Sequence, residues 1–224
     1  MRIRLPETYA LAMVDWVVVS SLATAGGTLV LAIATFVSVR SANRAARTAE
    51  RALQVGMRPL LSASRLTDPD LKMSWVDEHH AKVGGGRASI ELADERIYLA
   101  ISLRNVGSGV AVMQSWSVDL RLRIEEADFG DPEGFRRQSR DLYIATGDLG
   151  FWQAAVRDPD DPLYAELRAT VEERRRFLID LLYTNDEGDQ RAITRFVITP
   201  PSDDGSQWFC SVGRHRYLDR PNPR

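Results

Sequence analysis

Cysteine occurs once, as Cys210, which excludes a disulfide within the chain and any zinc site built from the cysteines of one molecule. Lysine is nearly missing as well, Lys72 and Lys82 being the only two, so arginine carries almost all of the positive charge. Histidine is confined to His79, His80 and His215. A net charge of −2 leaves no global basic field, which argues against nucleic acid as a partner. Several catalytic signatures are also missing. Gly84-Gly85-Gly86-Arg87 is followed by no Lys-Ser/Thr pair and is not a phosphate loop. The chain holds no Gly-x-Ser-x-Gly elbow. Asp158, Asp160 and Asp161 lack the glycine and terminal glutamate of an EF-hand, so turn and helix-cap roles are expected of them.

What is present is one long uncharged run, Trp16 to Val39, between Asp15 and Arg40. About 24 residues of helix span roughly 36 Å, enough to cross a hydrocarbon core of about 30 Å. Trp16 stands at one edge, where interfacial aromatics gather. Ala23-Thr24-Ala25 has the form of a signal-peptide cleavage site. Glu7 and Asp15 spoil a basic leader, however, and the apolar run continues well past the would-be cut, so an anchor is the expectation. Small residues four apart, Ser21 with Ala25 and Ala23 with Gly27, permit close helix packing but are also frequent in any membrane helix. Arg40, Arg44, Arg47, Arg51 and Arg58 follow the span, against Arg2 and Arg4 before it. The positive-inside rule then places the C-terminal part in the cytoplasm.

Residues 40–57 read as a helix leaving the membrane, with Ala42, Ala45, Ala46, Ala49 and Leu53 on one stripe and arginines opposite. Arg40, Arg44, Arg47 and Arg51 are suited to anionic lipid. The period then changes to two. Strands are expected over Pro59–Leu66, Ala88–Leu92, Arg96–Arg104, Asp141–Ala145, Phe151–Val156, Arg176–Thr184, Gln190–Thr199 and Gln207–Leu218. The clearest alternation sets Val112, Gln114, Trp116, Val118, Leu120, Leu122 and Ile124 against Ser115, Ser117, Asp119, Arg121 and Arg123. Residues 67–87 read as loop and 125–140 as a polar surface excursion. A short helix is expected from Asp161-Pro162, with aspartate as cap and proline at the first position. About seven to nine strands at such spacing predict two antiparallel sheets packed face to face. The expected organisation is a tail (1–15), a transmembrane helix (16–39), a basic amphipathic helix (40–57), a β-sandwich (58–218) and a tail (219–224).

Leu103-Arg104-Asn105-Val106-Gly107-Ser108-Gly109-Val110-Ala111 resembles the Arg-Asn-x-Gly-x-Gly-x-Ala turn of bacterial single-pass membrane proteins of unknown function. Arg58-Pro59 matches their strand start, and Leu182 to Asn185 with Arg195-Phe196 is similar to their closing hairpin, though aspartate is commoner than Asn185. The resemblance implies an immunoglobulin-like sandwich and no catalytic residue. In the residues themselves the turn reads as structural. Gly107 and Gly109 are expected to supply positive φ, and Asn105 to bond nearby backbone.

No catalytic, cofactor-binding or metal-binding residue is assigned. Adjacent His79 and His80 diverge on any regular element, so they form a site with Asp77, Glu78 and His215 only if the fold gathers them. Phe151, Trp152, Trp208 and Tyr217 are expected in the core, with a partner groove as the alternative. The leading expectation is a non-catalytic scaffold or protein-interaction domain held at the inner face of a membrane. The alternatives are a tethered metal-dependent hydrolase using the three histidines and an extracytoplasmic ligand-binding module.

Overall fold

A computed structural model describes residues 8–121, 129–201 and 207–220, with side chains from residue 16 apart from 51 and 53–55. The chain divides into two compact units, 1–54 and 55–224. The described part of the first is helical throughout and belongs to α1, Thr8–Gly56. It begins inside the stretch expected to be a tail and runs unbroken through both expected helical segments. Its apolar segment is long and uncharged enough to cross a membrane, and none of it is buried against protein. The hydroxyls of Ser20, Ser21, Thr24, Thr28 and Thr35 turn back onto carbonyls three or four residues earlier. None of these five hydroxyls is therefore left bare in an apolar surrounding.

The second unit is an antiparallel β-sandwich. Its strands are β1 (Leu61–Ala63), β2 (Leu71–Ser74), β3 (His80–Val83), β4 (Arg87–Ala93), β5 (Arg96–Asn105), β6 (Ala111–Asp119), β7 (Arg136–Arg137), β8 (Tyr143–Ile144), β9 (Leu149–Val156), β10 (Phe177–Thr184), β11 (Ala192–Thr199) and β12 (Trp208–Tyr217). One sheet edge runs β9-β5-β4, with β1 continuing beside β5 where β4 ends. The other layer runs β12-β11-β10-β6, with β7 and β8 on the far edge of β6. Two residue pairs, Ala88–Trp208 and Arg87–Phe209, join the layers. The core lies between them: Trp152 of β9 meets Trp116 of β6 edge-on at 5.5 Å, and Phe177 meets Trp208 at 5.6 Å.

β5 and β10 are buried on both faces. Ile97, Leu99, Ile101 and Leu103 of β5 enter the main core, while Tyr98 and Ala100 pack under a separate hairpin. That hairpin is β2–β3, formed by residues expected to be loop. Its short strands alternate only over two or three positions each, too few for a period to register. Met73, Trp75, Ala81 and Val83 close over β5 and β9, and the Trp75 indole N–H donates to the Ala154 carbonyl at 3.1 Å.

The expected face of β6 is wrong at its start. Ala111 and Met113, not Val112 and Gln114, point into the core, because a bulge between the partners of Leu182 and Tyr183 leaves Gln114 with no counterpart on β10 and reverses the alternation. Leu122, Arg123 and Ile124 lie outside the described residues. Of the expected polar excursion 125–140, residues 125–128 lie outside the described residues, and the rest is in part a cover: Phe129 and Phe135 are buried against Leu182 and Ile193 on the outer face of β10–β11. The short helix, α2, is Tyr164–Glu172 and begins two residues after Pro162. Asp161 still serves the helix start, accepting from the Leu163 N–H at 2.8 Å, while Arg136 grips both of its oxygens.

Candidate functional site

The densest polar construction gathers where the chain, on leaving α1, joins the sandwich. Asn105 is fully buried and uses its whole amide. Its oxygen accepts from the Leu60 N–H at 3.2 Å and the Gly107 N–H at 3.0 Å. Its nitrogen donates to the carbonyls of Gly109 at 2.6 Å and Ile144 at 3.0 Å. The backbone N–H groups of Ser108 and Gly109 both reach the Arg58 carbonyl, and Val106 N–H reaches that of Leu60. One side chain thus stitches β1, the β5–β6 turn and β8 together.

The glycines of this turn serve a different need from the one expected. Neither has positive φ. A Cβ on Gly109 would sit 1.8 Å from the Met57 carbonyl oxygen, and one on Gly107 would sit 2.3 Å from the Leu60 nitrogen. They are small because the strand start passes directly over them. Arg58-Pro59 and Arg-Asn-x-Gly-x-Gly, separated by over forty positions of sequence, are two halves of one clamp.

Side chains complete the clamp from the opposite layer. Arg58 lies over the Tyr217 ring at 4.8 Å and forks onto both oxygens of Asp219. The Leu61 N–H, which points away from β5, donates to the Tyr183 hydroxyl at 3.1 Å. That hydroxyl also meets Thr194 Oγ1 at 2.9 Å, and His215 Nδ1 lies 3.0 Å from the same Thr194 oxygen. Burial holds the Tyr183 hydroxyl firmly protonated and pulls His215 down to about 4, so the imidazole is neutral at physiological pH. A relay Leu61 N–H, Tyr183 O–H, Thr194 O–H, His215 Nδ1 gives each donor along it an acceptor and assigns the remaining imidazole proton to Nε2, which is buried with no partner among the described residues.

His79 and His80 belong elsewhere. His79 stacks on Tyr98 with ring centroids 3.8 Å apart, and its Nε2 lies 2.9 Å from Glu91 Oε2. Ser89 donates to the other Glu91 oxygen at 2.5 Å. The carboxylate stands between serine and histidine, so the imidazole has no hydroxyl to activate. Nearby, Asp77 takes hydrogen bonds from Tyr98, Arg96 and Arg157 on one oxygen. Partial burial pushes its carboxyl up, but the bonds from Arg157 and Tyr98 outweigh this and hold it at about 2. These contacts fasten the β2–β3 hairpin to β5 and β9. The structure does not bring His215 into this cluster, and no group of three or more His, Cys, Asp or Glu side chains gathers among the described residues.

A third construction escaped sequence reading. Asp180 of β10 and Arg195 of β11 form a two-pronged pair at 2.8 Å on the outer face, both almost fully buried, with the Arg195 guanidinium 4.8 Å from the Phe129 ring centre. Burial pushes the Asp180 carboxyl up against the opposing pull of Arg195. Both residues sit in polar slots of alternating strands, which normally face water. The cover from Phe129 helps to make the position interior.

Of the aromatics expected in the core, Trp152 and Trp208 are buried there, while Phe151 and Tyr217 are partly buried against it. Cys210 is buried, and its thiol is pushed well above the usual range. No known protein family, curated protein or solved structure matches this chain.

Proposed function

We propose that the chain is a single-pass membrane protein whose β-sandwich has no catalytic task and serves protein interaction or scaffolding at the inner face of the cell membrane. The observation that carries this reading is the apolar run of α1, long enough to span, exposed throughout, and followed at once by a clamp that seizes Met57–Leu60. An exposed helical face of that composition is stable in lipid and a liability in water. Trp16–Val39 is then the bilayer contact, and Arg40, Arg44, Arg47 and Arg51 favour anionic headgroups on the cytoplasmic side.

We also read the domain as immunoglobulin-like and related to the bacterial anchored proteins it resembles. What supports this is the meeting of Arg58-Pro59 with the Arg-Asn-x-Gly-x-Gly turn, the two motifs on which the resemblance rests. The non-catalytic part of the reading rests on where the polar groups go. The buried bonds of Asn105, Asp77 and His215 all hold strands, loops or a hairpin in place.

Membrane extraction tests the anchor. The full chain, expressed in bacteria, is expected to stay in the membrane pellet through an alkaline carbonate wash, while residues 55–224 alone remain soluble and folded. Release of the full chain by carbonate would contradict the reading.

A further inference from the structure

On the outer face of the sandwich, β12 carries two guanidinium groups, those of Arg214 and Arg216, that no described residue neutralises, and Arg191 stands just before β11 beside them. The register sets Arg214 opposite Arg195 and Arg216 opposite Ile193, on one face of β12. Arg191 lies diagonal to Arg216, because its carbonyl accepts from the Leu218 N–H. Residues two apart on a strand are roughly 6.6 Å apart, so the three guanidinium groups of Arg191, Arg214 and Arg216 share one patch. A bulge beside Gly213 turns both β12 arginines outward.

Their partners are the informative part. Among the described residues Arg214 and Arg216 have no hydrogen-bond or ion-pair partner for their side chains, and Arg191 reaches only Glu133, at 3.9 Å. Among the described acids, Asp180 is engaged by Arg195 and Asp219 by Arg58, while Glu133 is largely exposed. Moreover, the Nε–H groups of Arg191 and Arg216 are buried without an acceptor. Arginines that merely guard a strand edge keep their donors in water. The terminal N–H groups of Arg214 and Arg216, neither buried nor bonded to a described residue, are the donors open to an incoming anion.

We propose that this patch docks an acidic peptide segment of a partner protein. Carboxylates at alternate positions of an extended segment match the strand spacing of Arg214 and Arg216, and the guanidinium fork takes each one through two parallel bonds. A flat two-strand face suits an extended chain, and nothing described there forms the enclosed nest that a free phosphate needs. The proposal rests on the scaffolding reading and names the partner class for it.

The probe is a fluorescein-labelled peptide of alternating Glu and Ser, measured by fluorescence anisotropy against the full chain in neutral-lipid nanodiscs. Saturable binding is expected at low salt, weakening steeply as salt rises. Arg214→Gln/Arg216→Gln should weaken it at least tenfold with an unchanged melting temperature, while Arg174→Gln/Arg176→Gln, on the α2–β10 loop, should leave it intact. Equal loss in both double variants, or no loss in either, overturns the proposal. So does a patch that ignores the peptide but draws the domain onto anionic vesicles in an Arg214/Arg216-dependent way. Loss of peptide binding with carbonate-resistant anchoring sinks the patch alone. Carbonate release of the full chain sinks the anchor whatever the peptide does.

Discussion

At the scale of single residues, Asn105 explains more of the fold than any other side chain. Its four hydrogen bonds join segments that alternation alone leaves unconnected. Asn105→Ala removes all four and leaves the Gly109 and Ile144 carbonyls without their buried donor, at about 1–3 kcal/mol for each buried group left unmet. We expect a loss of roughly 3 kcal/mol in denaturant unfolding of residues 55–224, and a comparable loss for Gly109→Ala, whose methyl has no room beside Met57. A loss below about 1 kcal/mol for both would mean that the clamp is incidental. The importance of this turn was legible in the sequence through the Arg-Asn-x-Gly-x-Gly spacing. Its reason was not, because a close approach from a segment over forty positions upstream leaves no local trace. The Asp180–Arg195 pair was equally silent, since an aspartate and an arginine on alternate strand positions look like any solvated face.

At the scale of elements, the strands announced themselves by period and failed to announce where the period breaks. The bulge beside Gly213 is the clearest case. Simple alternation from Trp208 and Cys210 would send Arg214 and Arg216 inward and His215 out to solvent. The bulge reverses this, placing His215 against Thr194 and Tyr183. The consequence is measurable. His215 is held at about 4 in the folded chain against an ordinary value near 6.5. The unfolded chain therefore takes up a proton first as pH falls, and stability is lost between about pH 6.5 and 4. The shift corresponds to about 3 kcal/mol, discounted to about 2 for partial solvent access. Replacement by Gln should flatten that part of the stability–pH curve, measured by urea unfolding at stepped pH. An unchanged curve in His215→Gln would put the imidazole in water and the bulge elsewhere. The β2–β3 hairpin was missed for a related reason, its strands being too short to show a period and its glycines and aspartates reading as loop. The helical run was the opposite case, because length and lack of charge are properties of one continuous segment.

At the scale of the whole molecule, the two compact units divide the work. One helix offers an apolar surface with no protein against it, and one sandwich closes its own core and clamps the chain just after that helix. The sequence carried this division openly, since a change from an apolar run to a period of two marks it. The side of the membrane rests on the arginines after Val39. The decisive measurement is labelling by a membrane-impermeant maleimide in intact cells. Cys210 is buried and cannot report, so the reporter is Asp186→Cys in the exposed β10–β11 turn, with Cys210→Ser as background. A domain tethered at the inner face leaves the introduced thiol unlabelled until the cells are lysed. Labelling in intact cells would place the sandwich outside and contradict the account.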